Sequence, residues 1–179
     1  MDRIRPAISD TWYTRLCRGI ERARVVTGLN QLPTVLSHGD FTPWNIRIGS
    51  DNRRIALLDW ENGHTDRLLL WDAFHFTTQV GLLIRRPWSS ERIATVLNDP
   101  AIVRLASTLN LTADQIHGLY TAYLVDASTQ WIEDYWLRND RDAINGALQE
   151  LRGVLLDRLA AGRFAGLQVP SSVEHGAKP

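Results

Sequence analysis

The sequence predicts an α+β fold that is mainly α-helical and carries one small β-hairpin. Three observations lead there. Apolar residues recur at helical spacing over most of the chain. One short stretch places β-branched and apolar residues on either side of a Gly49-Ser50-Asp51-Asn52 turn. The composition, 44% hydrophobic and 22% charged, is that of an ordinary globular protein. The 179 residues suffice for one hydrophobic core and fall short of two full domains. A single domain is expected over 1–165, with a polar loop and hairpin segment at 35–76 and a helical region at 77–162. The polar, breaker-rich tail at 166–179 reads as disordered.

The elements follow in order. Trp12, Leu16, Ile20 and Ala23 recur at helical spacing, Ser9 or Asp10 can cap the start and Gly28 can end it, so Ser9 to Val26 is expected to be a helix. A polar turn through Asn30 to Thr34 follows. Asn45 to Ile48 and Ile55 to Leu58 form the predicted hairpin. Beyond Asp66 the pattern turns helical, over Leu68 to Ile84, Ser90 to Asn98, Pro100 to Leu109, Asp114 to Leu137 and Asp140 to Ala161. Thr112 with Gln115 three residues on is a capping box, and Asn110, Asn139 and Gly162 are suitable stops.

Charge narrows the function. Twenty basic and twenty acidic residues cancel, which leaves no electrostatic footprint for a phosphate backbone or an anionic membrane, so neither nucleic acid nor membrane is expected as a partner. The single cysteine, Cys17, excludes an internal disulfide and reads as a buried helix residue. The first residues lack a signal peptide's apolar core, and a cytoplasmic location is expected. All basic residues but Lys178 are arginine.

The informative stretch is His38-Gly39-Asp40, with Asn45 five positions beyond Asp40 and Asp59-Trp60-Glu61 after the hairpin turn. Ionisable residues at the ends of short apolar strands sit on loops held by a rigid scaffold, where catalytic groups are commonly found. A carboxylate and a carboxamide on one loop, facing a second carboxylate at the next strand end, can hold Mg²⁺ through hard oxygens and leave one carboxylate as a base. In such a site Asp40 would take the proton of a substrate hydroxyl. Asn45 would hold a metal ion and Asp59 would bridge it to nucleotide phosphates.

HGDFTPWN, LLDWE and the later WDAFHF resemble, in order and spacing, the motifs of the aminoglycoside phosphotransferase and choline kinase-like family. The resemblance covers about Val35 to Phe76. It implies the C-terminal lobe of a protein kinase-like phosphotransferase, with the hairpin carrying the catalytic loop and with ATP or GTP as phosphoryl donor. It further implies Asp40 as catalytic base, His38 as a residue that orders the loop, Asn45 and Asp59 as Mg²⁺ ligands, and Asp72 as a brace on the loop. The acceptor implied is a small molecule bearing a hydroxyl: an amino sugar, a sugar or an amino alcohol. Trp44 and the Thr65-Asp66-Arg67-Leu68-Leu69 run depart from the family pattern.

A strand-rich nucleotide-binding lobe needs five strands of roughly 5–6 residues and a helix of about 11. Only 37 residues precede His38, and they contain no lysine and no Gly-x-Gly-x-x-Gly. The chain is therefore expected to lack that lobe and to be incomplete as a kinase. The alternative is a catalytically inactive relative serving as a binding or assembly module, its bared face covered by a second copy or by a partner chain. A metallohydrolase built on His38, Asp40, Asp59 and Glu61 is a weaker reading.

Other residues carry two readings each. Glu61 stands either behind the metal ligands or as a solvated strand-end carboxylate. His64 reads as a loop residue and His75 as a satisfied core histidine, while Trp12, Trp71 and Trp131 read as core. Asp126, Glu133, Asp134 and Trp136, with Tyr135, could form an acidic and aromatic wall for the acceptor, against the reading of a solvated helix face.

Overall fold

A computed structural model describes residues 3–27, 31–83, 96–144 and 146–162. The helices are α1 (Asp10–Thr27), α2 (Trp71–Leu83), α3 (Pro100–Thr108), α4 (Ala113–Leu137), α5 (Arg141–Ile144) and α6 (Ala147–Ala160). The strands are β1 (Thr34–Ser37), β2 (Ile46–Ile48), β3 (Ile55–Leu57) and β4 (His64–Leu68). The Ser90 to Asn98 helix lies mostly, and Gly28 and the 166–179 tail lie wholly, outside the described residues. No helix among the described residues is long and apolar enough to cross a membrane.

Helix α4 is the spine. Trp12 and Leu16 of α1, Ile116, Leu119, Tyr120, Tyr123, Leu124 and Ile132 of α4, Leu155, Leu156 and Leu159 of α6 and Trp71 and Phe74 of α2 are all buried in one core. Gly19 lets α1 approach closely: a Cβ there would stand 2.7 Å from Val125 and 3.2 Å from Leu156. Arg15 on α1 bonds Asp157 on α6 at 2.9 Å, tying the same two helices at their rim. The capping chemistry is present as sequence indicates, since Gln115 N–H donates to Thr112 Oγ1 at 3.2 Å and Thr112 N–H to Gln115 Oε1 at 2.9 Å. Asn110, Asn139 and Gly162 all take positive φ at helix ends.

Two small antiparallel sheets hold the loop segment. β2 pairs with β3 (Ile46 opposite Leu57, Ile48 opposite Ile55), close to the expected hairpin. β1 pairs with β4, and the register slips by one residue between Val35 and Ser37.

This second ladder is a correction. The sequence pattern predicts the end of a turn at Thr34 and the start of a helix at Leu68. Thr34 and Leu68 instead face each other as paired strand residues. The helix cannot begin at Leu68 because Leu70 takes φ 64°, a left-handed conformation that breaks the chain between strand and helix. Asn45 ends a short 3-10 turn, Pro43–Asn45, rather than opening β2. The expected Asp140 to Ala161 helix is divided into α5 and α6, the second starting from extended backbone at Gly146. Cys17 and Trp131 are half-buried rather than core.

Candidate active site

The loop that begins at the end of β1 is gripped from below by Asp72, in the first turn of α2. Its Oδ1 accepts Ser37 Oγ at 2.8 Å and Gly39 N–H at 3.1 Å, and its Oδ2 accepts His38 N–H at 2.7 Å. Three donors on one carboxylate fix the loop backbone at its sharpest point. Gly39 takes φ 80°, and a Cβ there would fall 1.9 Å from the Asn62 carbonyl oxygen, so glycine is required.

His38 is buried and joins the two halves of the site. Nδ1 accepts the Asp40 N–H at 3.3 Å, which leaves the proton on Nε2 to be donated to the Leu58 carbonyl at 2.8 Å. Leu58 N–H in turn donates to the Asn45 carbonyl at 2.9 Å. The residue before Asp59 is thus held on one side by Asn45 and on the other by His38. The Trp60 ring covers His38 at 4.6 Å between centroids.

Asp40 is half-buried with both carboxylate oxygens engaged. Oδ2 accepts from Asn45 Nδ2 at 2.8 Å, and Oδ1 lies 3.1 Å from His75 Nε2. The hydrogen bond from His75 holds the Asp40 carboxyl below its ordinary range, helped by the hydrogen bond from Asn45 and opposed by burial. The same Asn45 nitrogen reaches the Asp40 carbonyl at 2.9 Å. With its amide nitrogen spent on Asp40, Asn45 keeps Oδ1 as a hard oxygen donor. Asp59 is exposed, and its carboxylate has no partner among the described residues. Its backbone is left-handed, φ 63° and ψ 63°, a strained state for a non-glycine residue.

No group of three His, Cys, Asp or Glu side chains poised to hold a metal exists among the described residues. His38, Asp40, Asp59 and Glu61 therefore do not form a metallohydrolase cage, and the Leu58 carbonyl already takes the His38 Nε2 proton. The free oxygen of Asn45 and the unpaired carboxylate of Asp59 fit a different ion. Mg²⁺ takes one or two protein ligands and completes its shell with water and phosphate oxygens. Glu61 lies exposed in the short turn Trp60–Asn62 and bonds nothing among the described residues.

The acceptor wall is not gathered as one surface. On an α-helix Glu133 falls on the face of Asp126, whereas Asp134 and Trp136 fall about 80° to either side. Asp126 Oδ2 bonds the Trp71 indole N–H at 2.8 Å and pairs with Arg67. Trp136 lies under Arg141, 5.6 Å from the guanidinium carbon. Of the four, Asp126 alone is linked to the loop, through Trp71 and His75.

His75 is the residue that sequence reasoning passed over. Reading it as a satisfied core histidine described its burial and missed its partner, the Asp40 carboxylate. The signal was spacing: His75 stands one helical turn after Asp72, so both face the loop from α2.

Residues 15–70 match the model of the phosphotransferase enzyme family APH, a stretch that holds His38, Asp40, Asn45 and Asp59 and stops just short of Asp72 and His75. No curated protein and no solved structure gives a significant match. Over those residues the chain is similar to that family, which agrees with the aminoglycoside phosphotransferase and choline kinase-like resemblance.

Proposed function

We propose that this site serves a Mg²⁺-dependent small-molecule phosphotransferase, which moves the γ-phosphoryl group of ATP or GTP to a hydroxyl of an amino sugar, sugar or amino alcohol. The fold described is then the C-terminal lobe of a kinase-like enzyme. One observation carries the reading. The Asp40 carboxylate is fixed from two sides, while Asp59, just beyond β3, has a free carboxylate and a strained backbone.

In this reading Asp40 accepts the acceptor hydroxyl as a hydrogen bond and takes its proton as the new oxygen–phosphorus bond forms and the nucleoside diphosphate leaves. A base held below its ordinary carboxyl range stays ionised at neutral pH and orients the nucleophile. Asn45 Oδ1 and the Asp59 carboxylate are the groups that would hold the ion. Mg²⁺, when bound, neutralises charge on the transferred phosphoryl group. His38 keeps the two halves in register, and Asp72 keeps the loop from collapsing.

The test is transfer of terminally labelled phosphate from Mg–ATP or Mg–GTP to a panel of amino sugars, sugars and amino alcohols. Asp40→Asn should keep the fold, judged by circular dichroism, and bring transfer by the complete enzyme to background. Transfer by Asp40→Asn at the wild-type rate removes Asp40 from the base role and the proposal with it.

A further inference from the structure

The Asp40 carboxylate depends on a residue outside the loop. His75 Nε2 lies 3.1 Å from Asp40 Oδ1, while on the other side of the ring Nδ1 lies 3.4 Å from the Tyr123 hydroxyl. Both neighbours are needed to place the proton. An ionised carboxylate can only accept, which puts the proton on Nε2. Tyr123, fully buried and pushed up to about 12 by that burial, keeps its proton and can donate it to Nδ1. For a neutral imidazole, the chain Tyr123 O–H to His75 Nδ1, and His75 Nε2–H to Asp40 Oδ1, satisfies every member in one direction only.

The ring has no freedom to turn. Trp71 stacks on it, 4.9 Å between centroids and 12° from parallel, and Tyr123 meets it edge-on at 6.1 Å and 81°. Trp71 is itself held by Asp126 on α4 and lies 4.0 Å from the Arg67 guanidinium carbon. His75 is 7% exposed, so water cannot take over its bond to Asp40 without opening the core.

We propose that His75 is a positioning residue for the Asp40 carboxylate, with Tyr123 fixing the proton on the imidazole nitrogen that faces Asp40; the role assigned to Asp40 rests on the phosphotransferase reading above. His75 and Asn45 together clamp one oxygen each, which stops rotation of the carboxylate and leaves the second lone pair of each oxygen for an acceptor hydroxyl. Tyr123, Trp71 and Asp126 carry the position of α4 into the loop.

The experiment uses the full chain with ¹⁵N and ¹³C labels, alongside His75→Gln, His75→Leu and Tyr123→Phe. Gln can offer an N–H near the place of Nε2, and Phe removes one hydroxyl while keeping the ring. Long-range ¹⁵N correlation should show a single Nε2–H tautomer for His75 that becomes mixed in Tyr123→Phe. The Asp40 side-chain carbonyl resonance should move in His75→Leu and return in His75→Gln. An Nδ1–H tautomer in the wild type, or an Asp40 resonance indifferent to His75→Leu, overturns the proposal without reference to turnover. Where transfer from Mg–ATP is measurable, His75→Leu should lower kcat by about 10- to 100-fold at unchanged KM, with most of the loss recovered in His75→Gln. Equal kcat in the wild type and His75→Leu also overturns it. A wild type with the expected resonances and no transfer to any acceptor counts against the function and supports the contact.

Discussion

The chain has two regions built on different principles. Around α1, α4 and α6 the structure is held by apolar burial, with Leu16, Tyr120, Leu124 and Ile132 fully out of water. Between β1 and β4 it is held by directed polar contacts: Asp72 on three donors, His38 between two backbone groups, Asn45 and His75 on Asp40. In that second region Leu36, Ile48, Ile55, Leu58 and Trp60 lie exposed, so burial does little to secure it. The comparison teaches that stability and site geometry are separable here. A change in the helices should lower stability throughout, whereas a change in the loop should spoil the site and cost the fold less.

The largest expected effect on stability comes from the helical region. Leu124→Ala, in the middle of α4, removes a fully buried side chain and should cost about 2–5 kcal/mol, read as a lower midpoint in urea with the whole helical signal lost together. Gly39→Ala should break the comparison from the other side. The Asn62 carbonyl stands where the Cβ must go and φ is 80°, so the loop has to rearrange. Strain at such a position is worth about 1–3 kcal/mol. The distinguishing readout is hydrogen exchange, which should rise across 37–45 while α4 stays protected. Equal loosening of α4 would show that the regions are not separable.

Asp72→Ala comes next, leaving the Ser37 hydroxyl and the His38 N–H without their acceptor and the Gly39 N–H with Ser37 Oγ alone. About 1–3 kcal/mol is expected from unpaired buried donors, confined by the same exchange measurement to the loop and the start of α2. The smallest effect concerns pH. The Asp40 carboxyl is lowered in the folded chain, so its contribution to stability is complete above its unfolded value of 3.8 and fades as pH falls through the lower folded value. The difference in unfolding free energy between wild type and Asp40→Asn should shrink in that window, and a difference that grows on acidification would reverse the sign.

Much of the helical region was legible in the sequence because its signals are local. Thr112 and Gln115 cap α4 in the way their spacing indicates, and Asn110 and Asn139 end helices where the left-handed turn suits asparagine. The β1–β4 ladder was not legible, since Thr34 to Ser37 and His64 to Leu68 are short, half-polar and made into strands only by pairing across the chain. Nor did local pattern mark Leu70, whose left-handed backbone separates β4 from α2. In the site, order and spacing singled out His38, Asp40, Asn45, Asp59 and Asp72, and the structure joins four of them by hydrogen bonds while Asp59 follows the pinned Leu58. His75 was missed because a histidine among Trp71, Phe74 and Phe76 looks like core by composition. Its bond to Asp40 spans 35 residues and exists only once α2 has docked under the loop.

The proposal that Asn45 and Asp59 hold a metal-bound nucleotide beside Asp40 can be decided by calorimetric titration of Mg–ATP and Mg–GTP into this chain and into Asp59→Ala. Mg²⁺-dependent nucleotide binding is expected, and Asp59→Ala should abolish it without changing the helical signal. Binding of equal strength to both proteins, or to neither, would contradict it.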